Sequence, residues 1–233
     1  EFVDKHAGLN KALTIGGGTL TGADSGNYYA TISGSTTATI TAKAVTLTAP
    51  TVTKDYDGLL TYTTTAANRT AIASSLVGGD TITAATISYA NKDVATGKTV
   101  TLDAVTIGDG NNGNNYTVTL AGNTASVITR QASVTWIGGA TGEWFNPANW
   151  AVTGTSTAGA IPDLSNVSAV VIPSGTTVTF NDSVAGRTGT AQTGTVNITT
   201  LTGGSLEVTN GALSGTTVNS VSYTHLTLPT NRE

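Results

Sequence analysis

The fold is decided by the segment from Ala44 to Gln131, which begins AVTLTAPTVTKDYDG (44–58), continues through NKDVATGKTVTL (91–102) and ends in SVITRQ (126–131). Apolar Val, Leu and Ile alternate with Thr in its short runs. A period of two places alternate side chains on one face of a β-strand, and Thr and Val fit such a surface well. Clusters rich in Gly, Asn and Asp separate the runs and are typical of turns. The segment therefore predicts a small domain of short strands.

A second, incomplete copy of this segment precedes it. DKHAGLNKALTI (4–15) aligns with NKDVATGKTVTL (91–102) at a constant separation of 87 residues. Further on, ATITAKAVT (38–46) aligns with SVITRQASV (126–134) at a separation of 88 residues, so one residue has been added in between. A period of this length suits a small domain repeated along the chain rather than a solenoid coil.

Composition excludes several classes of function. The chain has 233 residues, of which 10% are charged and 6% aromatic, and its 10 basic and 14 acidic residues give a net charge of −4. Without a basic stripe, nucleic-acid binding lacks its electrostatic driving force. The absence of cysteine excludes disulfides, thiolate zinc sites and cysteine nucleophiles. No apolar run approaches the roughly 20 residues of a membrane-spanning helix.

These patterns divide the chain into a partial repeat (1–43), a complete repeat (44–131), a third region (132–220) and a tail (221–233). We predict an all-β chain with the repeats as tandem small β-sandwiches. The partial repeat lacks its first strands, so we expect an unpaired edge and a half-covered core there. One stretch, AANRTAIASSLV (66–77), has apolar residues at helical spacing. A helix there would make the repeat β-grasp-like, which is the alternative fold.

Three motifs of the complete repeat carry a resemblance to a known family. KDYDG (54–58), NKDVATGKTVT (91–101) and the ending NNYTVTL (114–120) are similar to the YDG-type repeat of large bacterial surface proteins, the filamentous-haemagglutinin-like adhesins. The resemblance implies a secreted stalk or adhesive repeat at the cell surface rather than an enzyme. Its structural motif residues are Tyr56, Asp57, Gly58 and Tyr116.

The region after the repeats changes character. TWIGGATGEWFNPANW (135–150) holds all three tryptophans, and short apolar runs separated by Gly and Asn follow from Val196 to Val218. These features are similar to segments that open solenoid regions in bacterial autotransporter and haemagglutinin-type proteins, and they imply the start of a parallel β-solenoid. The tail VSYTHLTLPT (221–230) resembles a translated sequencing adapter, so we expect residues 221–233 to be artefactual and the chain to be a metagenomic fragment truncated at both ends.

The sequence offers no catalytic residues and no cofactor site that we would assign. Outside the tail His6 is the only histidine, which leaves no serine–histidine triad to assemble. Asp55 and Asp57 flank Tyr56, and we interpret them as part of a solvated turn with Tyr56 packed inward. GDGNNGNN (108–115) fails the EF-hand spacing, because Gly and Leu stand at the fifth and twelfth positions. We interpret it as a turn, with a weak Ca²⁺ site at Asp109 as the alternative.

Trp136, Trp144 and Trp150 are the candidate ligand-binding residues, since exposed aromatic rings stack on sugars. The competing interpretation is that they cover the open end of the solenoid core. The leading functional prediction is a non-enzymatic stalk region of an extracellular bacterial surface adhesin. The alternative is a carbohydrate-binding module built on residues 135–150. We expect host or neighbouring-cell glycans or proteins to be bound by parts of the protein outside this chain.

The joints between repeats predict a stiff array. ITAKAVTL (40–47) and ITRQASVTW (128–136) run from one unit into the next without a Gly- or Ser-rich linker. A flexible linker would have that composition and would coil. We therefore expect neighbouring domains to swivel little.

Overall fold

The computed structural model describes residues 1–14, 18–29, 34 and 36–181 and five short strands between 195 and 219. Strands account for 47% of the residues and helices for 9%. The all-β prediction is therefore confirmed. A nearly closed, barrel-like sheet is present.

Nineteen strands and one α-helix are described, together with three short 3-10 helices (Ser25–Asn27, Ala73–Ser75 and Pro147–Asn149). The strands up to residue 108 are β1 (Gly8–Leu13), β2 (Thr36–Ile40), β3 (Lys43–Thr48), β4 (Thr53–Asp55), β5 (Thr61–Thr63), β6 (Thr81–Tyr89) and β7 (Ala95–Gly108), with helix α1 (Ala66–Ile72) between β5 and β6. The later strands are β8 (Tyr116–Ala121), β9 (Asn123–Thr129), β10 (Gln131–Trp136), β11 (Thr141–Glu143), β12 (Trp150–Val152), β13 (Val167–Val171), β14 (Thr177–Asn181), β15 (Thr195–Asn197), β16 (Thr200–Thr202), β17 (Ser205–Asn210), β18 (Ala212–Ser214) and β19 (Thr217–Asn219).

The chain divides into two compact units. The first contains Glu1–Pro50, Thr63–Ile87 and Leu102–Gly122, and the second contains Thr51–Tyr62, Ser88–Thr101 and Asn123–Glu233. Strand β6 begins in the first unit and ends in the second, whereas β7 begins in the second and ends in the first.

The first unit is built around a parallel pair of strands. β3 pairs with β8 from Lys43 opposite Tyr116 to Thr48 opposite Ala121. The inward-facing Val45 and Leu47 are buried, as the alternation of apolar residues with Thr predicts. Other buried apolar side chains of this unit come from the helix and from the first-unit parts of β6 and β7, namely Ile72, Ile82, Ile87, Leu102 and Ile107.

Helix α1 lies in the stretch 66–77, whose apolar spacing allowed a helix as the alternative to an all-β repeat. Thr65 caps its N-terminus: the Thr65 side chain accepts a hydrogen bond from the Asn68 backbone, and the Asn68 side chain accepts one from the Thr65 backbone. This reciprocal capping box satisfies two backbone donors that a helix N-terminus otherwise leaves unpaired. Ile72 is buried at the other end of the helix. The helix required by the alternative β-grasp-like fold is therefore present.

The second unit contains strands from two kinds of sheet. In the first kind the strand order is β4-β9-β7-β6-β5, with β4 parallel and β7 antiparallel to β9. In the second kind, which begins at β10, the pairing is mainly parallel: β10, β13, β16 and β19 follow one another, as do β11, β14 and β17. β15 and β18 form a further parallel pair. The third sequence region therefore differs from the repeats in strand pairing as well as in composition.

The partial repeat has the same strand register as the complete one. Gly8 lies opposite Ile40 in the antiparallel pair β1–β2, and Ala95 lies opposite Ile128 in the pair β7–β9. The separations of 87 and 88 residues found in the sequence relate the two pairs. Ile40 is only half-buried, however, whereas Ile128 is buried. The partial repeat is thus less buried than the complete repeat at this equivalent position.

In the part of the chain that the structure describes, no helix is both long and apolar enough to cross a membrane.

Candidate functional site

A cluster of polar contacts in the second unit surrounds the buried Tyr56, where the repeat meets the region that follows it. The ring is fully buried, and its hydroxyl donates a hydrogen bond of 2.9 Å to the carbonyl oxygen of Ile161. The Nζ atom of Lys92 lies 3.1 Å from the same hydroxyl and 3.2 Å from Oδ2 of the buried Asp163. Lys92 also lies over the Tyr56 ring, 5.4 Å from its centroid. The buried phenol thus lies beside both a cation and a carboxylate.

Strand pairing carries Tyr56 to this position. β4 pairs in parallel with β9, and immediately after β4 the Tyr56 N–H donates to the carbonyl oxygen of Thr129 at 2.9 Å. The side-chain amide of Gln131 donates to the Tyr56 carbonyl oxygen, also at 2.9 Å. Both backbone groups of Tyr56 are therefore held, so the ring has little freedom to leave the interface.

The two residues after Tyr56 shape the turn. The Asp57 carboxylate accepts from Nζ of Lys54 at 2.7 Å and from the backbone N–H of Leu59 at 2.9 Å. Gly58 has a φ of +77°, and a Cβ atom there would lie 1.9 Å from the carbonyl oxygen of Gly159. Only glycine fits this backbone conformation and this close approach.

Asn166 lies in the region that follows the repeat, and it contacts residues of the repeat. It is buried, and its Oδ1 accepts the backbone N–H of Val94 at 2.8 Å. Its Nδ2 donates to the carboxylates of Asp163 at 2.7 Å and of Asp93 at 3.1 Å. Its carbonyl oxygen accepts the N–H of Gln131 at 2.9 Å. Because Asn166 is buried and each polar atom of its side chain has a partner, removing a partner would leave a buried polar group unsatisfied.

The environment keeps the Tyr56 phenol protonated. Burial raises the pKa of Tyr56 far above its usual value, and the carboxylates of Asp163 and Asp93 act in the same direction. The hydroxyl is therefore a hydrogen-bond donor at every physiological pH.

The first unit contains an equivalent set of contacts. Nζ of Lys5 lies 2.9 Å from Oδ1 of Asp80. The backbone N–H of Ala7 donates to Oδ1 of Asn115 at 2.8 Å, and the N–H of Lys43 donates to the Asn115 carbonyl oxygen at 2.8 Å. A lysine–aspartate pair and an asparagine that accepts two backbone N–H groups thus occur in both units.

The repeat offsets relate the two sets on the side of the repeat. Lys5 and Ala7 precede Lys92 and Val94 by 87 residues, and Lys43 precedes Gln131 by 88. On the other side of each contact, which we call the receiving side, the sequences around Asn115 and Asn166 differ. Asn115 directly precedes β8, which pairs in parallel with β3, and Asn166 directly precedes β13, which pairs in parallel with β10. In both cases the pairing strand, β3 or β10, is the first one after the end of the repeat. We call these two sites the first and second joints. Two regions of unrelated sequence therefore contact a repeat through the same kinds of ion pair, hydrogen bond and strand pairing.

Comparison with known families identifies one domain in the chain. A YDG domain is found at residues 41–126. The domain contains Tyr56, Asp57 and Gly58 and the joint residue Lys92, whereas the residues that receive it at the second joint lie beyond its end. No curated protein and no solved structure matches the chain.

Tyr116, the fourth motif residue, lies at the receiving side of the first joint. Its hydroxyl donates to Oδ2 of Asp80 at 2.8 Å and lies 3.2 Å from the carbonyl oxygen of Val77. Of these two tyrosines of the YDG domain, Tyr56 thus contacts the region that follows the domain, and Tyr116 contacts residues within the domain.

The three tryptophans do not form the exposed surface that a sugar-binding site requires. Trp136, Trp144 and Trp150 are all buried, with Trp144 and Trp150 at 0% exposure. Their rings pack edge to face at 5.1 and 4.9 Å between centroids. Each indole N–H is used internally, and that of Trp150, for example, donates to the Trp144 carbonyl oxygen at 2.6 Å. Their burial favours the competing interpretation, in which the three tryptophans cover a core, as large aromatics that bury much area tend to do.

Asp109 does not present its carboxylate to a cation. The carboxylate is buried and accepts the backbone N–H groups of Asn111, Gly113 and Asn115 at 2.8 to 3.1 Å. Burial alone would raise the pKa of Asp109, but these donors outweigh it and hold the pKa below its usual value. Among the described residues no group of three or more His, Cys, Asp or Glu could hold a metal ion. The Asp109 loop is a turn closed on its own backbone, in agreement with the interpretation of this stretch as a turn.

Sequence reasoning missed the receiving residues Asp80, Asn115, Asp163 and Asn166. A signal was available on the repeat side, since Lys5 and Lys92 stand at equivalent positions. Nothing in the sequence marked their partners, because the receiving asparagines have no common flanking motif.

Proposed function

We propose that the chain is a non-enzymatic stalk region of a secreted bacterial cell-surface adhesin. The observation that carries this proposal is the second joint, in which Tyr56 of the YDG domain, Asp163 and Asn166 are all buried and hydrogen-bonded. A stalk must resist bending where its modules meet, and a buried, fully paired polar cluster restricts such motion. The absence of a Gly- or Ser-rich linker at residues 128–136 favours the same conclusion.

We further propose that the strands from β10 onward are rungs of a parallel β-solenoid. The parallel register places Val134 opposite Val170, Val170 opposite Leu201 and Leu201 opposite Val218. Such a column of apolar residues is what stacked rungs require, since each rung buries its apolar face against its neighbours. Ile198, which the sequence also assigned to a rung, lies outside the described residues.

The carbohydrate-binding alternative has less support, because the tryptophans on which it depends are buried. It predicts glycan binding that Trp144→Ala abolishes while the fold persists. Our proposal predicts no glycan binding by the intact chain. A glycan array with both proteins, and with circular dichroism to check folding, separates the two functions.

Stiffness of the second joint is the direct test of the stalk proposal. The chain lacks cysteine, so Thr124→Cys and Thr157→Cys, both at exposed positions of the second unit, provide two unique sites for spin labels. We expect a narrow distance distribution that becomes broad when Tyr56→Ala is added. Tyr29→Ala, at a tyrosine that is 99% exposed, should leave the width unchanged. A broad distribution with Tyr56 intact would overturn the proposal.

A further inference from the structure

Lys98 is a buried lysine that no carboxylate pairs with in the part of the chain that the structure describes. It lies on the core-facing side of β7, in alternation with the buried Val100 and Leu102, and it is only 5% exposed. The ion pairs found among the described residues do not include it. A buried ammonium group without a counter-charge is costly. The position of this amine therefore requires an explanation other than an ion pair.

The amine lies against a side-chain amide. Nζ of Lys98 contacts Oδ1 of Asn91, seven positions earlier in the chain, and donates to the carbonyl oxygen of Asp93 at 2.7 Å. The backbone N–H of Asp93 donates to the same Oδ1 atom at 3.2 Å. A nitrogen that can act as a nucleophile is therefore next to an amide carbonyl group that a backbone N–H polarises.

The same contact recurs in the partial repeat. Asp4 and Lys11 precede Asn91 and Lys98 by 87 residues, and their side chains are also in contact. In both repeats a register shift of the strand pairing ends at the lysine, and such an irregularity redirects a side chain. The partial repeat has a carboxylate where the complete repeat has an amide. Lys11 therefore forms an ion pair, whereas Lys98 faces a group from which ammonia can leave.

The environment of Lys98 favours the reactive form of its amine. An amine attacks a carbonyl carbon only when it is unprotonated. Burial lowers the pKa of Lys98 below its usual value, whereas the charge of Asp93 acts in the opposite direction. The Asp93 N–H, already bonded to Oδ1 of Asn91, can stabilise the negative charge that develops on that oxygen during attack.

We propose that Lys98 and Asn91 form an intramolecular isopeptide bond. Nζ of the unprotonated lysine attacks Cγ of Asn91, so that a C–N bond forms while the bond between Cγ and Nδ2 breaks. One proton of Nζ passes to Nδ2, which leaves as ammonia. Nothing is oxidised or reduced, so the step needs no further reactant.

The bond would close the loop that carries the repeat's contacts at the second joint. Lys92 pairs with Asp163 from this loop, and the Val94 N–H donates to Asn166. Linking residues 91 and 98 would hold both contacts on a covalent ring. The inference does not depend on the chain serving as a stalk, because it rests on the chemistry of two side chains within one repeat.

The test is mass spectrometry of the folded, purified full chain after denaturation and digestion with trypsin, which cleaves after lysine and arginine. Without the bond, residues 70–92, 93–98 and 99–130 are released as separate peptides. We expect residues 70–92 to be joined to residues 93–130, because an acylated Lys98 is not cleaved. The mass of the joined product should be lower than the sum of the two peptides by one ammonia, and fragmentation should place the link between Asn91 and Lys98.

Two variants serve as matched controls. Lys98→Arg keeps a cation at the position but removes the amine, and Asn91→Ala removes the amide at an exposed residue. Both should release the three separate peptides, and circular dichroism verifies that they fold.

Two results would overturn the proposal. The first is release of the three wild-type peptides at their full masses. The second is a loss of ammonia that persists in Lys98→Arg, which would show that Asn91 cyclises onto its own backbone instead of reacting with Lys98.

Discussion

The hydroxyl of Tyr56 lies 2.9 Å from the carbonyl oxygen of Ile161, a residue 105 positions further along the chain. Tyr56 belongs to the YDG domain at residues 41–126, and Ile161 lies outside it. The tyrosine of the motif is therefore directed toward the region that follows the domain. Asp57 and Gly58 shape the turn that allows the approach, so the three motif residues act together at the joint.

Tyr56→Phe should lower the stability of the folded chain without changing its fold. The substitution removes the hydroxyl that donates to Ile161 and accepts from Lys92, and it leaves the buried carbonyl oxygen of Ile161 without this donor. We expect the free energy of unfolding to fall by about 1–3 kcal/mol, as measured by urea denaturation. Tyr29→Phe, at a fully exposed ring, is the control and should change it by less than about 0.5 kcal/mol. Equal effects of the two variants would contradict the role of the hydroxyl.

Gly58→Ala should be more costly than its backbone conformation alone implies. A residue with a side chain in the left-handed region costs about 1–2 kcal/mol. The new Cβ atom would also overlap the Gly159 carbonyl oxygen, and overpacking adds about 1–3 kcal/mol. Gly79→Ala isolates the first contribution, because Gly79 has a φ of +81° and no atom within 4 Å of the added carbon. Thermal denaturation that ranks the two variants equally would refute the close approach.

Asp109 should make the chain acid-sensitive. Its pKa in the folded state lies below the usual 3.8, so the unfolded state takes up a proton more readily. The contribution of Asp109 to stability is present above the usual pKa and is lost as the pH falls through the folded pKa. We expect the free energy of unfolding to depend less on pH below about 5 in Asp109→Asn than in the wild type. Asp24→Asn, at an exposed turn, is the control for removal of a carboxylate.

Patterns among residues close in sequence predicted much of the fold. They could not predict features that depend on contacts between distant parts of the chain. The alternation of apolar residues with Thr marked β3, and the spacing of Ile72 and Leu76 marked the helical stretch, because both signals depend on residues close in sequence. The pairing of Tyr56 with Ile161 depends on tertiary contact between segments without common sequence, so no local pattern could show it. Composition likewise could not decide whether Trp144 was exposed, since large aromatics serve both binding surfaces and cores.

The last prediction concerns Asn166, which lies at the centre of the second joint. Asn166→Asp keeps an acceptor for the Val94 N–H but removes both donors to Asp93 and Asp163. It also places a third carboxylate beside those two, in a buried position. We expect a loss of about 3 kcal/mol or more in the free energy of unfolding at pH 7.

The pH dependence of that loss distinguishes charge from lost hydrogen bonds. Burial and the neighbouring carboxylates should raise the pKa of the new aspartate above the roughly 3.9 of a free side chain. Because the folded state then binds the proton more readily than the unfolded state, the deficit relative to the wild type should shrink as the pH falls through the raised pKa. Asn166→Ala loses the same donors without adding charge, so its deficit should stay nearly constant over that range. Urea denaturation of all three proteins between pH 7 and 5 measures the difference. Parallel pH profiles for the two variants would show that no carboxylates crowd this position, and the joint as described would be wrong.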